Sequence, residues 1–292
     1  MIEIINDYKS YLLQNDKSDN TVYAYVTDVN LYTKFLDKKE MNLYSSDNVA
    51  VMAYIQHLLT LGKSERSINR IVISVRSFYG FLKGKSLVTD IPKITYKSSG
   101  TAKKLPQILT IQEVDILIRS INKDGPKGIR DNALLELMYA TGMKVTELIG
   151  VNVEDVNLEL SFVKCSDNKH FERLIPIGRS ACHAIEDYLC IRDQVAEMGV
   201  PNLFVNLNGH KLTRQGIWRI VKEYAQRAGI NKDVNLNTFR HSFAVHMLQN
   251  GANVRAVQKL LGNQVLTYMD TYYEIMNSDK ISVIYKKSHP RA

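Results

Sequence analysis

Apolar side chains recur at steps of three and four residues through most of this chain, and the rhythm fails at one place, which divides it. Val22, Tyr25, Val26, Val29, Tyr32 and Leu36 share one face of a helix. Ser64 is placed to cap a helix through Ile68, Ile71, Val75 and Phe78. Asp47 is placed to cap another through Val49, Met52, Ile55 and Leu59 that stops at Gly62. With residues 2–13 these make a four-helix domain over 1–93. Beyond Asp90 the pattern ends, and ITYKSSGTAKKLP, residues 94–106, is rich in turn formers and lysine, as a linker is.

The second domain, 107–292, opens with Thr110 and Glu113 at capping-box spacing, and a second helix runs to Thr141-Gly142. Residues 156–177 differ: LSFVKC and FERLIPI are short β-prone runs around the polar turn SDNKH, as in a hairpin. Helices resume over 179–198, 213–228, 238–250 and 254–261. The expected fold is mainly α with a small β-hairpin or sheet.

A chain of 292 residues has room for two such domains. Its 38 Lys and Arg against 30 Asp and Glu, a net charge of +8, favour a polyanionic partner. Cys165, Cys182 and Cys190 form no C-x-x-C pair, which argues against a disulfide framework or a structural zinc site. The start MIEIINDYKS is acidic where a signal peptide is basic, and no apolar run approaches the ~18 residues of a membrane span. A cytoplasmic protein without a membrane, metal or cofactor is expected.

Arg240 and His241 near the start of an amphipathic helix read, alone, as a solvated surface. The ordered series says more: ATGMKVTELIGV, a hairpin with Lys169 at its tip, FRHSFAVHMLQNGANVRAVQKLLGN, and Tyr272 nine residues after Asn263. This series resembles the tyrosine recombinases, the Xer type most closely. The likeness extends to NTVYAYVTDVNLYTKFL and SINRIVISVRSFYGFL in the first half and to the tail SHPRA. It implies an amino-terminal helical, SAM-like DNA-clamp domain and a mixed α/β catalytic domain, closing around a DNA duplex.

The family joins a tyrosine to a backbone phosphate, leaving a 3′-phosphotyrosyl link and a free 5′-hydroxyl, with no metal or nucleotide. Such chemistry needs cations on the non-bridging oxygens, a proton for the departing 5′-oxygen and a base for the phenol. Carried over by position, the tyrosine is Tyr272, chosen by register over Tyr268 and Tyr273, and the second arginine is Arg240. The first arginine falls at Lys144, the first histidine at Asn237 and the second at Asn263. Counting back from Glu172-Arg173 puts Asn168 at the hairpin lysine position, whereas a one-residue slip in the turn gives Lys169. His170, His241 and His246 lie outside the family's histidine places.

Three of the six positions are thus changed, so the resemblance implies a recombinase with weakened catalysis. The competing expectation is a catalytically silent DNA-binding paralogue that occupies a site or pairs with an active recombinase. Lys63, Arg66, Arg70, Arg76 and Lys83 on one helical region, and Lys211, Arg214 and Arg219 around Trp218, are candidates for phosphate contacts; solvated faces are the plain alternative. The implied partner is double-stranded DNA. The implied assembly is a cyclic homo-tetramer on two sites, or a hetero-oligomer with a related recombinase. Chromosome dimer resolution and mobile-element integration both fit.

Overall fold

A computed structural model describes residues 2–45, 48–94, 96, 106–166 and 172–262. The chain divides into two compact units, Met1–Lys104 and Leu105–Ala292.

The first unit is built from α1 (Ile2–Gln14), α2 (Asp19–Lys38), α3 (Asn48–Thr60) and α4 (Glu65–Gly84). Ser18 and Ser64 cap α2 and α4 by accepting from the backbone N–H groups of Thr21 and Ser67. Both helices bury one stripe: Val22, Val29, Tyr32 and Leu36 from α2 meet Ile68, Val75, Phe78 and Tyr79 from α4 in one core. The buried phenols are hydrogen-bonded, Tyr32 to Tyr79 at 3.1 Å and Tyr79 to the Leu43 carbonyl at 3.1 Å. Of the four apolar residues expected along α3, Ile55 alone is buried. The core face is instead Ala50, Val51, Tyr54, Ile55 and Leu58, while Val49 and Met52 are 59% and 58% exposed and Leu59 is exposed too. A helix apolar nearly all round carries no phase in its periodicity, so neighbours choose the face. The expected cap, Asp47, lies outside the described residues.

The second unit holds α5 (Ile111–Arg119), α6 (Pro126–Thr141), α7 (Val145–Gly150), β1 (Val156–Asn157), β2 (Phe162–Ser166), β3 (Glu172–Pro176), α8 (Arg179–Arg192), α9 (Arg214–Arg227), α10 (Leu236–Gln249) and α11 (Val254–Leu261). The hairpin expected from the sequence is there as β2 and β3, and β1 adds a third antiparallel strand, Val156 opposite Val163. Two residues are too few for an alternating pattern to reveal β1. The helix read over 179–198 ends at Arg192, whose buried guanidinium donates to the carbonyls of Val200 and Asn202, each at 2.7 Å. Those bonds satisfy carbonyls of an irregular segment that could not otherwise be buried.

The Thr110–Glu113 capping box starts α5. Just before it, the Leu109 N–H donates to Ser242 Oγ of α10 at 2.9 Å, which ties the beginning of this unit to a helix near its end. The main core lies between the sheet, α6, α8, α9 and the start of α10, and a smaller cluster joins Phe243, Val245 and Leu248 to Val257 and Leu261 of α11. Among the described residues, no helix is long and apolar enough to cross a membrane.

Candidate functional site

Two helix ends converge on Arg240. The last carbonyls of a helix lie beyond the reach of its own amides and carry the negative end of its dipole, which suits a guanidinium. Arg240, on the second turn of α10 and 8% exposed, donates to the carbonyl of Gly142 at 2.7 Å, just past α6, and to that of Leu261 at 2.6 Å, the last residue of α11. Gly142 terminates α6 in the left-handed region, φ 57°. A Cβ there would meet the Phe243 ring at 2.5 Å and Leu261 at 2.8 Å, so the Thr-Gly of ATGMK has two independent reasons to be glycine.

Lys144 follows two residues later at the cap of α7. Its backbone N–H donates to Glu147 Oε2 at 2.8 Å, and its ammonium lies 3.9 Å from Glu147 Oε1. Glu147 is also gripped by Arg173 of β3, through Nη1 at 3.1 Å and Nη2 at 2.8 Å. Burial pushes the Glu147 carboxyl up, but hydrogen bonding and charge from Arg173, then the Lys144 backbone and charge, outweigh it and leave its pKa below the usual value. Arg173 Nε donates to the Leu260 carbonyl at 2.8 Å. Two guanidiniums therefore hold the consecutive carbonyls that end α11.

The nearby thiol and imidazoles are quiet. Burial, then the charge of Glu147, pushes Cys165 up to about 12, which keeps it a thiol. Burial, then the adjacent Arg240, pushes His241 down to about 4. His246 is also lowered by burial, and its Nδ1 is 2.9 Å from the Tyr139 hydroxyl. His241 is therefore neutral near pH 7, and the His246 contact is a hydrogen bond within the fold.

Asn237 is exposed in the first turn of α10, beside Arg214, Gln215, Trp218 and Asn235 in a groove of about 540 Å³. The groove lies where the N-termini of α9 and α10 open, so backbone N–H groups and one arginine flank it, a setting that favours an anion. Lys211 and Arg219 are exposed on and beside α9. In the first unit Lys63 and Arg66 are exposed at the start of α4, and Lys83 stands 4.0 Å from Asp90. Arg70 is engaged within the unit: its guanidinium is bidentate on the buried Asp28, which also accepts from Ser74 Oγ at 2.8 Å. Arg76 is half-buried, and its Nε is buried without a hydrogen-bond partner among the described residues.

The structure thus brings Lys144 and Arg240 together around Gly142 and Glu147. Tyr272, Asn263, Lys169, Asn168 and His170 lie outside the described residues. Glu147 and Arg173, central to this geometry, are absent from the set carried over by resemblance. The signal for Arg173 is strand alternation: Arg173 and buried Ile175 share a face of β3, leaving Leu174 outward and exposed. Among the described residues, no group of three or more His, Cys, Asp or Glu is arranged to hold a metal ion.

A helical unit followed by a helix-rich unit with a small antiparallel sheet is an architecture shared with a class of known proteins. Residues 107–278 match the Phage integrase family, and residues 5–85 match its N-terminal SAM-like domain. The tyrosine recombinase XerD of Staphylococcus epidermidis is 36% identical over 296 residues, covering 100% of both chains. A putative tyrosine recombinase of Caldanaerobacter subterraneus is 36% identical over 290 residues, covering 99% of each. The crystal structure of the XerH site-specific recombinase bound to its palindromic difH substrate shares the fold, with a TM-score of 0.74 at 18% identity over 97% of this chain and 94% of that one. The Tn1549 transposon integrase in complex with a circular intermediate DNA shares it with a TM-score of 0.73 at 17% identity, over 94% and 99%. The chain belongs to the phage integrase family of tyrosine recombinases.

Proposed function

We propose that this protein is a site-specific DNA recombinase of the tyrosine type whose catalysis is weakened. The observation that carries this reading is the end-to-end likeness to XerD at 36% identity. In the reaction, the Tyr272 oxygen bonds to a backbone phosphorus as the 5′-oxygen leaves and takes a proton. A 5′-hydroxyl of the partner strand then attacks the phosphotyrosine and releases the phenol.

Arg240 offers a planar guanidinium whose outer N–H groups are already oriented by two carbonyls. Lys144 keeps the charge of the first arginine, but one ammonium shared with Glu147 replaces a fork able to grip two phosphate oxygens. A lost contact of that kind costs about 10² to 10³ in rate. Asn237 donates a hydrogen bond but carries no proton, and the same holds for Asn263, for roughly another 10² to 10⁴. The losses overlap, because residues acting as one unit share their effect. The three substitutions also favour a second reading, a silent paralogue that works by occupying DNA.

Covalent trapping on a nicked suicide duplex separates the two. The unaltered protein should trap very slowly or not at all. Lys144→Arg, Asn237→His and Asn263→His together should raise trapping by about 10² or more, with little change in duplex affinity, and Tyr272→Phe in that background should abolish it. No gain from the triple change favours the silent paralogue. Fast trapping by the unaltered protein would instead overturn the claim of weakened catalysis.

A further inference from the structure

We propose that Arg173 is a positioning residue for strand cleavage, the strut that sets the sheet, the Lys144 cap and the end of α11 in one register. The inference rests on the recombinase reading, since positioning matters only if there is a reaction to position. Its geometry stands without that reading. The guanidinium is 8% exposed and the Glu147 carboxylate 3%, so the pair is held inside the unit. From β3, Arg173 reaches α7 through two bonds to Glu147 and α11 through one bond to the Leu260 carbonyl. Glu147 passes the constraint to the backbone and ammonium of Lys144. The neighbouring Leu261 carbonyl is held by Arg240. A guanidinium has N–H groups on opposite edges of one plane, which lets it face a carboxylate and a carbonyl together.

Gly262 completes the arrangement. The chain turns there with φ 76°, and a Cβ would stand 3.3 Å from Arg173 Nη1 and 3.5 Å from Cζ. The chain therefore leaves α11 across the face of this guanidinium, at a residue that leaves room for it. If Arg173 moves, Lys144, the grip of Arg240 on Leu261 and the exit from α11 lose their common reference. Misplacement on the scale of 1 Å costs up to about 10² in rate.

Arg173→Lys in the full chain tests this. Lysine keeps a charge for Glu147, but one ammonium cannot span both Glu147 and Leu260. Amide hydrogen exchange over residues 257–262 should quicken while α9 stays as slow as before. Duplex affinity should stay within about two-fold, because the side chain is buried. Single-turnover trapping on the suicide duplex, measured in the unaltered and Lys144→Arg/Asn237→His/Asn263→His backgrounds, should fall by about 10-fold to 10²-fold. Arg173→Gln, which keeps neither contact intact, should be worse in both readouts. Unchanged exchange over 257–262, a rise spread over the whole unit, or a local rise with trapping intact each overturns the inference. Absence of trapping in every background, Arg173 present or not, removes the recombinase reading first and the role of Arg173 with it.

Discussion

A histidine beside the site arginine records how its surroundings set its chemistry. Burial and the charge of Arg240 hold His241 at about 4 in the fold, against about 6.5 in an unfolded chain. The folded state therefore binds fewer protons between these values, so the stabilisation from His241 is fully present above pH 6.5 and is lost as pH falls towards 4. The loss is on the order of 3 kcal/mol at most. His246 acts in the same direction, and below about pH 4.5 protonation of Glu147 removes more. The sole tryptophan, Trp218, lies in the second unit, so urea unfolding followed by its fluorescence reports on that unit. We expect the midpoint to fall between pH 7 and pH 4.5, and His241→Asn to flatten part of that fall; an identical fall in the variant would refute the assignment. Arg240 and Lys144 were candidates from the sequence because order and spacing along the chain carry them. Glu147 and Arg173 were not, because their partners come from three segments that only the fold brings together.

Helices and turns wrote their ends into the sequence more clearly than their faces. Ser64, Thr110 and Gly62 stand at helix boundaries, because capping is a local matter of one side chain and a few backbone groups. The buried face of α3 and the strand β1 depend on what packs against them, and no local pattern announces that. Gly142 joins local and distant demands, ending α6 in the left-handed region while leaving room for Phe243 and Leu261. Gly142→Ala should cost about 2–4 kcal/mol, from the left-handed backbone and from overpacking. It should also shift the carbonyl that orients Arg240, so trapping in the triply substituted protein should drop further than stability alone explains. Denaturant unfolding would detect the first effect, and a loss below about 0.5 kcal/mol would mean that α10 gives way easily.

At the scale of the whole molecule, the two-part division was readable because a polar, lysine-bearing stretch interrupts two helical patterns. The net charge of +8 gives the proposed DNA contact its salt dependence, with each neutralised phosphate contributing a slope of about −0.9 in log K against log salt. Arg66→Gln and Arg214→Gln, both at exposed positions, should each flatten that slope by about one. Arg70→Gln should lower stability by about 1–3 kcal/mol instead, because it leaves Asp28 buried without its cation. A slope unaffected by either exposed change would place the phosphate contacts elsewhere. The link from Leu109 to Ser242 spans 133 residues, and that from Gly142 to Arg240 spans 98. Synthesis runs from the amino end, so all the helices of the first unit exist before either bond has its second partner. A growing chain can complete its first unit early, whereas the pocket around Arg240 waits until α10 and α11 have been made, and any premature stop before them yields a protein that keeps Lys144, Glu147 and Arg173 but lacks Arg240 and the Leu261 carbonyl it holds.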